Sequence, residues 1–530
     1  MSGITADRSR RTAPRARAAL TVETIETLVA GLVSASGGRV EVIAPFTGEL
    51  LHRLPHNTAA DVARAAETAR AAQHAWARTS PAHRRRVLLR AHDLLLERRE
   101  LVLDAIQLET GKSRAQAFEE LFNAAAATRY AALAAPRVLA TRRRRAGIPL
   151  VMESRVSYRP KGLVGVVTPW NYPPSLTAMD VAPALAAGNA VLQKADDQGA
   201  LSVLATRGAF LDAGLPEALW AVVAGPGTEV GSALVAASDV VAFTGSTATG
   251  ITVATQAAAT LTPVSLELGG KNPVIVLDDV DVERVAVSVA HACFAAAGQL
   301  CVSAERILVH RDVADRFIPA LTAAVAGLRL GSALDFSVDF GSLTSAAQLE
   351  RVRAHVDDAV AHGATVLAGG APRPELGPYF FAPTLLTGVT DQMVCAREET
   401  FGPVASIVIV DDDAAAVRAA NDTRFGLNAS IFSGSTRRAR RLAEQLQAGT
   451  ININEGYRAS FSAVAAPSGG VKLSGLGRRN GPEGILRYTD TVQIARSTGI
   501  IPLPRTGAEH ARLAGVMLLT LRALRFIRRR

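Results

Sequence analysis

The chain has 530 residues, 48% hydrophobic and 20% charged, which describes a globular protein of two or three domains and excludes a disordered one. The net charge of +10 lies at the ends: residues 1–20 hold five Arg and one Asp, residues 505–530 seven Arg and one Glu, and residues 21–504 are neutral overall. A body without basic excess offers no footprint for nucleic acid, and three cysteines suit neither a disulfide framework nor a zinc site.

In chain order, residues 1–22 read as a disordered arm. It is Arg-rich but has no apolar run behind it, so it is not a secretory signal. Helical spacing follows in "DVARAAETARAAQHAWART", with Asp61 as its cap, and in the stretch that starts at Pro81. The run Arg142 to Arg145 reads as a solvated surface turn. From residue 163, β-branched runs alternate with helical stretches: "LVGVVTPWN", "NAVLQKA", "VVAFTGS", then "NPVIVLDD", "RILVHR", "TVLAGG" and "VASIVIV". That alternation predicts two doubly wound, Rossmann-like α/β domains. The last stretch, "LAGVMLLTLRALRFIRRR", is too short to span a bilayer. It is expected to dock as a helix on the body or a partner subunit, with peripheral membrane contact as the less favoured reading. Reduced thiols and the lack of a spanning run point to the cytoplasm.

Ligands of open parallel sheets sit at the carboxyl ends of strands, so residues just after the apolar runs are the informative ones. "FTGSTATG" places Gly245 and Ser246 at a strand-to-helix junction, where free N–H groups suit a phosphate; it reads equally as a structural turn. In "LQKADD", Lys194 and Asp197 suit ribose hydroxyls or form a plain surface pair. In "LELGGKNP", Glu267 ends an apolar run; it is either a base of raised pKa or a turn cap. "FAAAGQLC" carries Cys301, a thiol that needs a base or a polar site to become a nucleophile. Cys293 and Cys395 read as small core residues. "EETFGP" holds Glu399 and Phe401 before a Gly-Pro turn.

In this order, and with "PWNYPP", "NDTRFGLNASIF", "AGTININ" and "GGVKLSGLGR", these segments resemble the NAD(P)-dependent aldehyde dehydrogenase superfamily from about residue 40 to 495. The separation of 34 residues between Glu267 and Cys301 fits it, and the whole chain is most similar to the branch labelled succinate-semialdehyde dehydrogenase. The resemblance implies Cys301 as nucleophile, Asn171 with the Cys301 N–H as oxyanion donors, and Glu267 as the base that activates water. It implies a cofactor over the first domain, touched by Thr168, Trp170, Lys194, Asp197, Gly245, Ser246, Gly269, Glu399 and Phe401, and no metal. It also implies a coenzyme domain over 23–268, a catalytic domain over 269–455 and a return over 456–500. The return carries an oligomerisation arm that pairs with strands near 148–160, and a basic tail follows over 501–530. Such an arm implies a homodimer or homotetramer.

Four positions depart from the family pattern. Ala296 replaces the usual Asn, and Arg479 replaces a frequent Glu. Met179 and Ala295 stand where semialdehyde-acid enzymes place an arginine fork for the substrate carboxylate, which leaves Ser462 as a polar candidate. Asp197 repels a 2′-phosphate, so NAD is expected over NADP. The expected activity is oxidation of a small aldehyde, with succinate semialdehyde as candidate. A cofactor-independent thiol esterase accounts for Cys301, Glu267 and Asn171 but not for Lys194, Glu399 and Gly245. A non-catalytic scaffold accounts for none of them.

Overall fold

The computed structural model describes residues 20–147, 151–500 and 503–526. Two sheets organise it. The first runs in the order Gly475–Leu476, Val264–Glu267, Val240–Thr244, Leu163–Thr168, Ala190–Ala195, Trp220–Val223, and all its strands but Gly475–Leu476 are parallel. Its inner strands are buried on both faces, which is why they read as unbroken Val/Ala/Leu runs. The order reverses between Leu163–Thr168 and Val240–Thr244, so a crevice opens where their carboxyl ends diverge. "PWN" and "GS" emerge there.

The second sheet runs Thr365–Ala368, Thr384–Thr387, Val404–Val410, Ala304–His310, Asn272–Val276, Asn428–Phe432, Thr450–Ile453. Only Thr365–Ala368, at one edge, is antiparallel to its neighbour. The chain crosses from the first sheet to the second through Leu268–Lys271, between Glu267 and Asn272. A third sheet joins Thr489–Ser497, Met152–Pro160 and Arg142–Arg144 in antiparallel register, with Thr489 opposite Pro160 and Ser497 opposite Met152.

Local structure corrects several sequence expectations. Thr58, not Asp61, caps the helix Ala59–Arg78; Asp61 is its third residue and closes a capping box. The carboxylate also accepts from the N–H and hydroxyl of Ser36, which a cap motif read along one strand of sequence does not reveal. Residues 81–138 form three helices, because Arg98 interrupts the first and Gly111, at φ 77°, ends the second. The arginine run is a strand, Arg142–Arg144, paired with Ser154–Val156, rather than a turn. Of the expected disordered arm, residues 1–19 lie outside the described residues, while Leu20 is buried and a helix, Val22–Val29, starts within it. Residues 148–150 of the expected arm strands also lie outside. The tail forms a helix, Gly507–Leu524, none of whose residues is fully buried.

Asp61→Ala would orphan the Ser36 and Thr58 N–H groups together. We expect it to destabilise the domain of the first sheet by about 2 kcal/mol, read by denaturant unfolding, with no change in m-value.

Candidate active site

Two cavities meet at three side chains. One, of about 80 Å³, is lined by Tyr172, Leu176, Met179, Leu300, Val302 and Phe461 among others; a second, of about 240 Å³, is lined by Trp170, Gly245, Ser246, Gly269, Glu399 and Phe401 among others. Asn171, Glu267 and Cys301 line both. Cys301 is half-exposed there, whereas Cys293 and Cys395 are buried in the core of the second domain.

The loop that presents Cys301 is wound against its preference. Ala296 and Ala297 have φ of 51° and 57°, and Gly298 follows at 67°. Two alanines in the left-handed region cost about 1–2 kcal/mol each. Asn enters that region more readily than Ala, which is a backbone reason for the usual residue at position 296. A Cβ at Gly298 would sit 2.1 Å from the Gly402 carbonyl oxygen, so that position must be glycine. Side chains hold the loop from three sides. Gln299 Oε1 accepts from Thr344 N–H at 3.0 Å, and the Gln299 carbonyl accepts from Asn171 Nδ2 at 3.0 Å. Asn272 Nδ2 donates to the carbonyls of Cys301 and Ser303, both at 2.7 Å. Asn171 thus spends one of its two amide protons on the loop and keeps one for the junction.

Electrostatics at the junction set the protonation states. Burial pushes the Glu267 carboxyl up to about 7; Arg479 and Arg487 pull it down and Asp180 raises it. Glu267 Oε1 is buried without a hydrogen-bond partner, so nothing within the fold commits that oxygen. Burial, with Glu267 and Glu399 nearby, pushes the Cys301 thiol up to about 12, and Arg479 opposes the rise. At neutral pH the sulfur is therefore a thiol beside a carboxylate that titrates near neutrality.

Arg479, 4% exposed, donates from Nε and Nη2 to both oxygens of Asp180, at 3.1 and 2.8 Å, and to Thr244 Oγ1 at 2.7 Å. Arg487 also pairs with Asp180 and donates to Ser265 Oγ at 2.7 Å. This group was absent from the sequence-level site. Its signal was Asp180, a lone acid in the wholly buried helix Pro173–Ala186, which requires a cation.

The cavity of about 240 Å³ is shaped by close approaches. Glu399 Oε1 accepts from Gly270 N–H at 2.9 Å, and a Cβ on Gly269 would meet Glu399 Oε2 at 2.3 Å. Burial, with Glu305 nearby, pushes the Glu399 carboxyl up to about 7. The Glu305 carboxylate, paired with buried Lys271, accepts from the N–H groups of Thr400 and Phe401, which holds Phe401 at φ 55° and edge-on to Trp170, ring centroids 5.6 Å apart. Ser246 caps the helix Thr247–Ala258 by accepting from Thr249 N–H, and its exposed side chain faces the groove.

Not every expected residue arrives. Thr168 is buried, its hydroxyl accepting from Gln193 Nε2 at 2.8 Å, so it supports the crevice floor rather than lining it. Ser462 is exposed, and Ser460 and Phe461 line the smaller cavity instead, because the short helix Arg458–Ser462 turns Ser462 outward. Met179 lines that cavity, and Ala295 packs with Tyr172, Leu176 and Leu300 in its wall. Lys194 and Asp197 stand apart from both cavities, at the end of Ala190–Ala195; the Asp197 carboxylate pairs with His56 Nε2 at 3.0 Å.

Comparison with known proteins agrees with this geometry. Residues 32–494 match the model of the aldehyde dehydrogenase family. The chain is 49% identical over 452 residues to the "Putative succinate-semialdehyde dehydrogenase (NADP+)" of Mycolicibacterium smegmatis, covering 85% of this chain and 87% of that one. It is 38% identical over 473 residues to the betaine aldehyde dehydrogenase of Cereibacter sphaeroides, covering 88% and 96%. Among solved structures, an NADP-dependent enzyme of E. coli superposes with a TM-score of 0.83 at 33% identity, covering 87% of this chain and 95% of that one. A betaine aldehyde dehydrogenase of Staphylococcus aureus in complex with NAD+ superposes with a TM-score of 0.84 at 29% identity, covering 91% and 98%. The chain belongs to the aldehyde dehydrogenase family.

Proposed function

We propose that this protein oxidises an aldehyde to a carboxylic acid with a nicotinamide dinucleotide, through a thiohemiacetal and a thioester on Cys301. The observation that carries the reading is the meeting of two cavities at Asn171, Glu267 and Cys301. A thiol esterase needs only one of them.

The residues of the larger cavity suit the cofactor. Gly245 and Ser246 bring an open helix N-terminus to a pyrophosphate, and Glu399 offers carboxylate oxygens to a ribose. Lys194 and Asp197, at the neighbouring strand end, suit the other ribose. The bound nicotinamide supplies the hydride acceptor. The protein's own groups do the rest. Glu267, titrating near 7, takes the thiol proton, and Cys301 Sγ bonds to the aldehyde carbon. The free Asn171 amide proton and the Cys301 N–H meet the oxygen as it gains charge. Once the thiol proton has passed from Glu267 to solvent and the thioester has formed, Glu267 takes a proton from water as it attacks the thioester carbon and returns it to Cys301 Sγ as the C–S bond breaks and the acid leaves. Glu267→Gln should slow the first-turnover formation of reduced cofactor as well as steady turnover, the latter by about two to four orders of magnitude. Cys301→Ala should abolish both, and stopped-flow absorbance at 340 nm reads the two.

Arg479 is the cation that helps keep Glu267 ionisable. Glu267 is active as the carboxylate, so its loss on acidification sets the acidic limb of kcat. Arg479→Gln removes a group that lowers the Glu267 pKa, so that limb moves to higher pH, by about one unit or more. An unmoved limb would place the base elsewhere.

For the substrate, the names of the relatives offer succinate semialdehyde. The cavity wall is mostly apolar, and its arginine, Arg479, is committed through Nε and Nη2 to Asp180. We infer an uncharged aldehyde chain, with kcat/KM about tenfold or more above that for succinate semialdehyde. Asp197 supports NAD over NADP. A panel of aldehydes run with each cofactor checks both; succinate semialdehyde as the best substrate, or an NADP preference, would overturn the respective inference. The edge of Thr489–Ser497, unpaired in one chain, supports assembly into a homodimer or homotetramer.

A further inference from the structure

The helix Gly507–Leu524 lies beyond the family match, which ends at residue 494. It opens with a complete capping box, Thr506 and Glu509 exchanging hydrogen bonds, so its start is well defined. Leu513, Met517 and Leu524, at i, i+4 and i+11, are half-buried along one stripe. Val516, Leu518, Leu519 and Leu521, on the rest of the circumference, and Phe526 after it are each more than half exposed. A cluster of large apolar side chains left in water marks a surface that something covers.

Charge decides what covers it. Residues 505–530 carry seven Arg against Glu509, and Glu509 is already engaged in its own cap. A second copy of the helix would bring its arginines against these with no acid between them. The body of the chain is neutral overall and leaves Val516, Leu518, Leu519, Leu521 and Phe526 exposed. A nucleic acid would take the arginines and leave the leucines wet. An anionic lipid surface satisfies both, with apolar side chains among the acyl ends of the headgroup layer and guanidiniums on the phosphates. The helix cannot cross: among the described residues, none is long and apolar enough to span a membrane. We propose that Gly507–Leu524 is a peripheral anchor that docks the enzyme on an anionic bilayer surface, with the arginines after it as the electrostatic half of the contact.

The test is flotation of the full-length enzyme with vesicles of equal parts phosphatidylglycerol and phosphatidylcholine, and with phosphatidylcholine alone. Partitioning onto the anionic vesicles should be about tenfold or more stronger and should weaken in high salt. A chain truncated after Pro504 should lose binding while oxidising aldehydes at the full-length rate. The Leu518→Ser, Leu519→Ser double variant should lose most of it with every charge in place. Equal binding to neutral vesicles, binding that survives truncation, or no binding at all would overturn the proposal. So would a tail that binds no vesicle but whose removal lowers the oligomeric mass, since its occupant would then be a second copy.

Discussion

Glu267 and Asp180 face Arg479 and Arg487 below the junction, two carboxylates against two guanidiniums, with Asp180 held by both cations. A carboxylate buried alone would take up a proton and keep it, because the interior disfavours the charged form. Here the surplus guanidinium charge is what Glu267 balances, so its carboxyl titrates near 7 instead of staying neutral. The base can give and take a proton only because the pair beneath it is unequal without it. The four groups come from a helix of the first domain, the end of its sheet and the returning segment after residue 456. The site is therefore complete only when that segment has crossed back.

The Cys301 loop rests on a different constraint. Three consecutive left-handed residues turn the chain so that the thiol faces the crevice between the two sheets. The strain is held by Gln299, Asn272 and the close seat of Gly298 on Gly402, groups that contact loop backbone and not substrate. Lys271 and Glu305 do the same for Phe401 on the opposite wall. Both walls are thus fixed by buried polar contacts that radiate from the crossover Leu268–Lys271, where the first sheet ends and the second begins.

Much of this was legible in the chain. Strand-sized apolar runs, each followed by Pro, Gly or a charge, place "PWN", "GS" and "LELGG" at strand ends by periodicity alone. Cys301 and Glu267 stood out as a thiol and a carboxylate beside such runs, while Asn171 and the roles of all three came with the resemblance to the aldehyde dehydrogenase superfamily. The Asp180–Arg479 pair was not legible, since its partners lie 299 residues apart and pair only in three dimensions. Ser462 failed for a smaller reason: one residue along a short helix turns a side chain by about 100°, which residue type does not encode. Thr168 failed because a strand alternates its faces, and its hydroxyl went inward to Gln193.

Sequence by itself determined the alternating α/β pattern and the location of the net charge at the chain's ends, because each follows from local pattern and residue chemistry, and its motif order pointed to Asn171, Glu267 and Cys301 through the family resemblance. Tertiary structure alone decided that two cavities share Asn171, Glu267 and Cys301, that Arg479 is paired with Asp180, and that most apolar side chains of the tail helix stay exposed. Those outcomes depend on which distant segments pack together, and packing is set by burial and charge balance over the whole molecule rather than by any stretch of it.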